Sequence, residues 1–264
     1  MNYQNLIKIL EKEKNLIELK NDKNTIFVGD THGDSKISKI VIEKYPLGEN
    51  RIVFVGDYVD RGPKSKENID YLFEMKEKHP DDLYLLGGNH EFFPLLNCNP
   101  CDFWMNLGAD IKYRNLLPKL PLAVSIDGII ALHAALPEIK NLEEINKIIK
   151  KEERELYLPV SKGENDSFMA MIWGDFVERK GKFKGYSGKG RPEYGEDYFN
   201  EIMGQIGKNV LIRGHDYHAP EKMYENRCLT LFTTCAYDVP KRIAFLEKGK
   251  AAITIDDLTI ERLK

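Results

Sequence analysis

The sequence predicts an α/β fold in which two mixed β-sheets form a central sandwich with helices on the outside. Two observations lead to this prediction. From Thr25 to Leu86, short apolar runs alternate with amphipathic helical segments, which is typical of parallel strands joined by right-handed crossovers. Beyond Leu117, short apolar runs alternate with turns, which favours hairpins. A βαβ half followed by a hairpin-rich half indicates two packed sheets.

The N-terminal segment is predicted to be an amphipathic helix packed on the body of the protein. Over residues 5–20, leucine and isoleucine recur at helical spacing among lysine and glutamate, so that one helix face is apolar. The rest of the sequence has no internal repeat and no disordered linker. We therefore expect an N-terminal helix within residues 1–24 and a single domain over residues 25–264.

Three buried strands and two helices make up the first half of the domain. The predicted strands are the apolar runs at residues 25–28, 51–55 and 83–86, each followed by glycine. The apolar faces of the two connecting helices consist of Ile37, Ile40 and Val41 and of Ile69, Leu72 and Phe73. Strands connected in this way run parallel, so their carboxyl ends meet at one edge of the sheet.

The second half is predicted to contain a hairpin, two helices and several short strands. Two apolar runs flank Asp127-Gly128, a strong hairpin signal, and the whole hairpin covers residues 122–133. Glycine and lysine are frequent in residues 180–195, where we expect a flexible surface loop. The other predicted elements are a charged helix over 140–156, a helix over 196–206, and strands over 209–213, 229–232, 242–246 and 251–255.

Composition and charge restrict the classes of partner. The net charge of −3, from 39 basic and 42 acidic residues, gives no electrostatic reason to expect nucleic acid or an anionic membrane. The first residues lack the basic region and apolar stretch of a secretory signal. No apolar run approaches the roughly 18 residues of a membrane span. We therefore expect a cytoplasmic protein that binds neither nucleic acid nor membrane.

Cys98 and Cys101 form a C-x-x-C pair, a spacing found in half-sites for zinc and in redox pairs. The other two cysteines, Cys228 and Cys235, do not supply a matching pair. The motif also does not open a helix after a strand, as a thioredoxin-like motif would. We therefore interpret Cys98 and Cys101 as two loop cysteines without a common ligand.

Short polar blocks follow the three strands predicted in the first half. They read Gly29-Asp30-Thr31-His32-Gly33, Gly56-Asp57-Tyr58-Val59-Asp60-Arg61-Gly62 and Gly88-Asn89-His90-Glu91. Because ligands bind at the carboxyl ends of strands in open α/β sheets, we expect these side chains to converge. Carboxylates and imidazoles without a thiolate suit divalent metals that activate water and bind phosphate. The sequence therefore predicts a catalytic metal site, and Glu91 is expected to stabilise the turn that it closes.

In this order the three blocks resemble the signatures G-D-x-H-G, G-D-x-x-D-R-G and G-N-H-E of the phosphoprotein phosphatase family of calcineurin-like metallophosphoesterases. Two later elements also match, namely His133 after a predicted strand and Arg213-Gly214-His215. The resemblance extends from about Thr25 to Tyr237. It implies the four-layer metallophosphoesterase fold, with helices on both sides of the sandwich, and a prokaryotic-type catalytic domain.

The resemblance also implies two divalent metal ions. The first would be bound by Asp30, His32 and Asp57, and the second by Asp57, Asn89, His133 and His215, with Asp57 shared between the two ions. Manganese is the expected metal, with iron or zinc as alternatives, because oxygen and nitrogen ligands suit all three.

Five further residues are implied to act on the substrate. His90 resembles the general acid that protonates the leaving group, and Asp60 would orient its ring. Arg61 and Arg191 resemble the arginines that bind the phosphate, and Tyr237 takes the position of an active-site tyrosine.

The implied reaction is the hydrolysis of phosphoserine and phosphothreonine monoesters by a hydroxide that bridges two metals, with phosphorylated proteins or small phosphoesters as substrates. The alternative is a diadenosine-polyphosphate or other nucleotide phosphohydrolase on the same dimetal site. An inactive binding module is disfavoured because every implied ligand is present. The sequence departs from eukaryotic members at Gly87, where they carry arginine, and at Ala134-Ala135, which casts doubt on eukaryote-like protein recognition.

Overall fold

Two mixed β-sheets packed face to face form the centre of the protein, and helices cover their outer faces. A computed structural model describes this arrangement for residues 1–93, 101–106, 111–149, 154, 166–180, 184–186 and 190–263. The predicted α/β class with a two-sheet sandwich is confirmed.

The N-terminal segment is a short helix followed by a strand. Helix α1 (Tyr3–Lys12) buries Leu6 and Leu10, and strand β1 (Leu16–Glu18) pairs in parallel with residues 123–125. The helix is therefore shorter than the predicted 5–20. Its continuation is prevented by tertiary pairing, because the Asn15 carbonyl accepts hydrogen bonds from the backbone N–H groups of residues 122 and 123. The division of the chain at residue 24 stays a prediction.

The first large sheet has five strands in the order β14-β13-β2-β3-β4. Its strands are β2 (Asn24–Val28), β3 (Asn50–Phe54), β4 (Leu83–Leu85), β13 (Arg242–Leu246) and β14 (Thr259–Arg262). The predicted parallel arrangement of β2, β3 and β4 is confirmed, and helices α2 (Ser35–Lys44) and α3 (Ser65–Lys78) connect them. Strand β13 runs antiparallel to β2.

The second large sheet has six strands in the order β1-β5-β6-β10-β12-β11. Its further strands are β5 (Ala123–Ile126), β6 (Ile129–Leu132), β10 (Val210–Arg213), β11 (Lys222–Met223) and β12 (Cys228–Thr230). The hairpin predicted around Asp127-Gly128 is confirmed, with φ of 20° at Asp127 and 80° at Gly128.

The strand predicted over residues 251–255 is wrong. This stretch is irregular and leads into a 3-10 turn, Ile255–Asp257, which a reciprocal capping box between Thr254 and Asp257 stabilises. Strand β14, a few residues later, takes the edge of the five-stranded sheet instead.

Alternate residues of each strand enter different parts of the core. Phe27 and Val53 face the six-stranded sheet and pack with Val124 and Ile212, whereas their neighbours face the helices. This alternation places one apolar layer between the sheets and further layers beneath the helices.

The remaining described elements are short. They are α4 (Asp102–Asn106), α5 (Ile111–Leu116), two 3-10 helices (Leu117–Lys119 and Leu142–Lys147), α6 (Asp166–Trp173), β7 (Asp175–Phe176), β8 (Lys184–Tyr186), β9 (Pro192–Tyr194) and α7 (Glu196–Gln205). Strands β7, β8 and β9 form a small sheet, so part of the predicted 180–195 loop is strand. The helix predicted over 140–156 is a 3-10 helix over Leu142–Lys147, and most of its predicted remainder beyond residue 149 lies outside the described residues. Cys98 also lies outside them, and Cys101 is half-buried. Of the helices in the described ranges, none has the length and apolar composition that crossing a bilayer requires.

Candidate metal centre and active site

The polar blocks leave the carboxyl ends of the strands at a shared edge of the two sheets. Strands β2, β3 and β4 of the five-stranded sheet lead into the blocks that carry Asp30, Asp57 and Asn89. Strands β6 and β10 of the six-stranded sheet lead into His133 and His215. All five side chains are buried, and the distances below join them into one cluster.

Several residues of this cluster have left-handed backbone conformations. His32, Asp57, Asp60, Arg61 and His215 have φ between 40° and 72°. Each such conformation costs a non-glycine residue about 1–3 kcal/mol and persists only where the surrounding structure holds it, as at functional sites.

Glu91 holds two of the blocks together. Its carboxylate accepts hydrogen bonds from the backbone N–H groups of Asp57 at 2.7 Å, Tyr58 at 2.8 Å and Gly88 at 2.9 Å. Burial, together with the charge of Asp57, raises the pKa of Glu91 to about 7. The predicted role of Glu91 in stabilising the turn is therefore confirmed, and the turn it stabilises extends to the Asp57 loop.

The departure at Gly87 has a steric cause in this chain. A Cβ atom at Gly87 would lie 2.2 Å from the ring of Phe92, which is itself buried. The Phe92 ring thus takes the space that a side chain at position 87 would need.

The first group of candidate ligands consists of Asp30, His32 and Asp57. His32 Nε2 lies 3.8 Å from Asp30 Oδ2 and 3.6 Å from Asp57 Oδ2. His32 Nδ1 lies 3.0 Å from the carbonyl oxygen of Val59, which only accepts, so Nδ1 carries the proton and Nε2 presents its lone pair. Burial lowers the pKa of His32 to about 3, so the ring is neutral.

The second group adds Asn89, His133 and His215 to Asp57. Asn89 Oδ1 lies 3.0 Å from both His133 Nε2 and His215 Nδ1, and these two nitrogens are 3.2 Å apart. Asp57 Oδ2 lies 3.4 Å from His133 Nε2.

Positive charge is favoured at the centre of this second group. Burial alone would lower the pKa of His133, but the carboxylates of Asp57 and Asp30 outweigh it and raise the pKa to about 9. The charge of His133 and its hydrogen bond in turn hold the pKa of Asp57 well below its usual value despite burial. A proton on His133 therefore supplies positive charge between these groups.

The donor set fits divalent cations. Ligand atoms of Asp57, His133 and His215 all lie within 4.8 Å of one another, and so do those of His32, Asp57 and His90. The carboxylate oxygens, the Asn89 amide oxygen and the imidazole nitrogens lie close enough together for a divalent cation to bind them in place of the His133 proton. Oxygen and nitrogen ligands without sulphur suit manganese, iron or zinc.

His90 and Asp60 form a buried pair beside the first group. His90 Nδ1 lies 2.6 Å from Asp60 Oδ2, while Asp60 Oδ1 accepts a hydrogen bond from the Phe103 backbone at 2.7 Å. Trp104 Nε1 donates to the His90 carbonyl at 2.7 Å, and Arg61 Nε lies 3.4 Å from His90 Nε2. Burial raises the pKa of Asp60, although the hydrogen bond with His90 opposes this.

Tyr237 and Arg61 lie on the same side. The Tyr237 hydroxyl is 3.5 Å from His32 Nε2, and the Arg61 guanidinium carbon is 5.4 Å from the centre of the Tyr237 ring. Tyr217, which the sequence analysis did not mark, stacks on Tyr237 with ring centres 4.2 Å apart. Both residues predicted to contact the substrate on this side therefore reach the cluster.

Arg191 lies beside Asp175 and Trp173, two residues that are themselves close to His215. Its Nη1 is 3.4 Å from Asp175 Oδ2, and its guanidinium carbon is 4.6 Å above the Trp173 ring, which in turn lies 5.5 Å from the His215 ring. No motif in the sequence singled out Trp173 or Asp175. The only sequence feature at Asp175 is an acidic residue two positions after an apolar helix. This feature is a weak indication of a functional site, because no histidine, cysteine or second acidic residue lies beside it.

Comparison with known proteins places this chain among phosphoesterases. Residues 23–219 match the calcineurin-like phosphoesterase family. The chain is 26% identical over 242 residues to serine/threonine-protein phosphatase T of Aspergillus oryzae, covering 87% of this chain and 49% of that protein. It is 28% identical over 251 residues to human serine/threonine-protein phosphatase 5, covering 89% of this chain and 48% of that protein. The chain thus spans about half the length of these curated relatives.

A solved structure has the same fold. The structure of a protein serine/threonine phosphatase from Saccharomyces cerevisiae superposes with a TM-score of 0.79 at 21% identity, covering 99% of this chain and 87% of that one. The two mixed sheets and their flanking helices therefore correspond over nearly the whole chain.

Proposed function

Because the chain belongs to the calcineurin-like phosphoesterase family, we propose that it is a metal-dependent phosphatase that hydrolyses phosphoserine and phosphothreonine monoesters of proteins. The observation that carries the proposal is the convergence of a full oxygen and nitrogen donor set with the buried His90–Asp60 pair at one edge of the sheets.

Two divalent cations would be held by the two ligand groups. Asp30, His32 and Asp57 would bind one cation, and Asp57, Asn89, His133 and His215 would bind the other. Manganese is the proposed metal, and iron or zinc would fit the same ligands. Such cations lower the pKa of bound water towards neutrality and neutralise charge on phosphoryl oxygens.

His90 would supply the proton to the leaving alkoxide from its Nε2 atom. Its Nδ1 is engaged by Asp60 at 2.6 Å, which leaves Nε2 as the ring atom directed to the site. The Asp60 carboxylate fixes the ring orientation. The Phe103 backbone and the Trp104 indole hold this pair in turn, so the proton donor is oriented before substrate binds.

Arg61 and Arg191 would both bind the phosphate. Each guanidinium lies against an aromatic ring, Arg61 against Tyr237 and Arg191 against Trp173, which restricts its orientation. A planar guanidinium held in this way can donate two parallel hydrogen bonds to a phosphoryl group. The Tyr237 hydroxyl, 3.5 Å from His32, would contact the substrate next to the first cation.

Phosphorylated proteins, or small phosphoesters of the same class, are the proposed substrates. The nucleotide alternative is not favoured, since the curated relatives described above are serine/threonine-protein phosphatases.

The substrate assignment is tested by direct competition. Metal-stripped protein would be reloaded with Mn²⁺, Fe²⁺ or Zn²⁺, and kcat/KM compared for a phosphoserine peptide, a phosphothreonine peptide and diadenosine tetraphosphate. We expect the peptides to be preferred by at least about tenfold, which corresponds to about 1.4 kcal/mol in transition-state binding. A preference for the dinucleotide would contradict the proposal.

A further inference from the structure

Three buried polar atoms without a hydrogen-bond partner lie together beside the second ligand group. They are Asp175 Oδ1, His215 Nε2 and Arg213 Nη1. Asp175 Oδ1 lies 3.6 Å from His215 Nε2 and 4.0 Å from Arg213 Nη1. Buried polar atoms are nearly always hydrogen-bonded. Three unpaired atoms so close together therefore indicate that they form hydrogen bonds with one another when a metal ion is bound.

The orientation of the His215 ring indicates that its Nε2 atom requires a hydrogen-bond acceptor. His215 Nδ1 points to the second ligand group, 3.0 Å from Asn89 Oδ1 and 3.2 Å from His133 Nε2. If Nδ1 binds a cation, the proton of the neutral ring must be on Nε2. Metal-binding histidines almost always donate this second N–H to a carboxylate, a carbonyl or water. The Asp175 carboxylate is the acceptor that lies next to Nε2.

The two oxygens of Asp175 have separate neighbours. Oδ2 lies 3.4 Å from Arg191 Nη1, and Oδ1 faces His215. The backbone at Asp175 is fixed because β7 pairs in parallel with β9, with Asp175 opposite Glu193. The guanidinium of Arg213 also contacts strand β7, since its Nη2 donates to the Phe176 carbonyl at 3.4 Å.

We propose that Asp175 is a positioning residue whose Oδ1 accepts the Nε2–H of His215 and so holds Nδ1 towards the metal centre, while its Oδ2 anchors Arg191. This inference rests on the proposed function, because it requires His215 to bind a cation. One buried carboxylate then orients both a metal ligand and an arginine that binds phosphate. The competing explanation is that Asp175 only balances the charge of the two arginines.

Two substitutions at Asp175 separate these explanations. Asp175→Leu removes the acceptor at similar volume, whereas Asp175→Asn keeps an acceptor oxygen and removes the charge. Asp216→Asn is the matched control, because Asp216 is a neighbouring acid whose carboxylate accepts from the His218 backbone N–H instead. The dissociation constant for Zn²⁺ would be measured on stripped protein by chelator competition, and KM and kcat on the reloaded enzyme.

Asp175→Leu is expected to weaken Zn²⁺ binding about 10–100-fold, the usual range for the hydrogen-bond partner of a metal-binding histidine. Asp175→Asn should weaken it less, and Asp216→Asn should leave it within about twofold of wild type. Unchanged Zn²⁺ affinity in Asp175→Leu with a raised KM would overturn the inference, since Asp175 would then serve Arg191 alone.

A spectroscopic comparison of wild-type protein with Asp175→Asn tests the inference even if Asp175→Leu fails to fold. In the zinc-loaded protein, ¹⁵N NMR should place the His215 proton on Nε2, with slowed solvent exchange that Asp175→Asn accelerates. A proton on Nδ1 would contradict the inference while leaving the proposed function standing. Failure of wild-type protein to bind any divalent metal would instead overturn the proposed function and this inference with it.

Discussion

The two large sheets contribute to the candidate site in different ways. The five-stranded sheet delivers its ligands in contiguous blocks that carry their own support, as Glu91 shows by accepting three backbone hydrogen bonds from two of the blocks. The six-stranded sheet contributes single histidines, and the groups that orient their rings lie elsewhere in the chain. His133 Nδ1 lies 3.0 Å from the carbonyl of Val55, and His215 Nε2 lies 3.6 Å from Asp175 Oδ1.

This difference explains why ligands on the five-stranded sheet are easy to recognise from the sequence and those on the six-stranded sheet are not. A polar block has a recognisable sequence motif, because the residues that stabilise its turn lie within a few positions of the ligands. A lone histidine has none, and only the companions that the fold brings to it distinguish a ligand from an ordinary core residue. The following experiments test whether the two sheets also differ in what they contribute to activity and stability.

The largest effect is expected from the ligand shared by both groups. Asp57→Asn should lower kcat/KM by at least about 1,000-fold, because several kcal/mol of charge stabilisation by the cations depend on this carboxylate. His215→Asn, on the six-stranded sheet, should remove one of about two bound metal ions and leave the other. Metal content by mass spectrometry and turnover of a phosphopeptide check both. Equal metal loss in the two variants would show that the shared ligand Asp57 and the single ligand His215 contribute equally to metal binding.

A second substitution tests the proton donor of the five-stranded side. His90→Asn should lower kcat on a phosphoserine peptide by about 10²–10⁴-fold while metal content is unchanged. The loss should be much smaller on p-nitrophenyl phosphate, whose leaving group needs no proton. His79→Asn is the control, since His79 caps the far end of α3, next to the start of β4. Equal losses on both substrates would show that His90 does not act as the acid.

Metal binding should release protons from the six-stranded side. The pKa of His133 is raised to about 9 in the metal-free site, so this histidine is protonated at pH 7 and must lose its proton to bind a cation. Because the folded pKa exceeds the unfolded one, the stability that this proton contributes is complete below about pH 6.5 and is lost as pH rises through 9.

Titration calorimetry of stripped protein in two buffers of different ionisation enthalpy should therefore show release of at least about one proton per chain at pH 7. His133→Gln should release correspondingly fewer protons. Release that is independent of this substitution would assign the proton to another group.

The smallest effects concern the junction between the sheets. A Cβ atom at Gly29 would lie 2.0 Å from the carbonyl oxygen of Leu231, so Gly29→Ala should destabilise the protein by about 1–3 kcal/mol. Gly204, in α7, has open space around it, and Gly204→Ala should stabilise by about 0.5–1 kcal/mol. Urea unfolding monitored by circular dichroism compares the two. Similar free energies of unfolding for the two variants would mean that stability does not depend on the close approach between Gly29 and Leu231.

Much of the fold was predictable because it depends on short-range patterns. The parallel strands β2, β3 and β4 and their helices follow from hydrophobic periodicity, and the β5–β6 hairpin follows from its Asp-Gly turn. The edges of the sheets were not predictable in this way. Strand β1 and strand β14 exist because distant backbone groups pair with them, and such pairing overrides local propensity.

The sequence by itself determined the three polar blocks, their order and the oxygen and nitrogen character of the site, because block residues are neighbours along the chain. The tertiary structure alone decided that Asp175 lies beside His215, that Tyr217 stacks on Tyr237, and that Phe92 fills the space at Gly87. These contacts join residues far apart in sequence or depend on side-chain packing. No local sequence pattern predicts them, since they depend on how side chains pack in the folded chain.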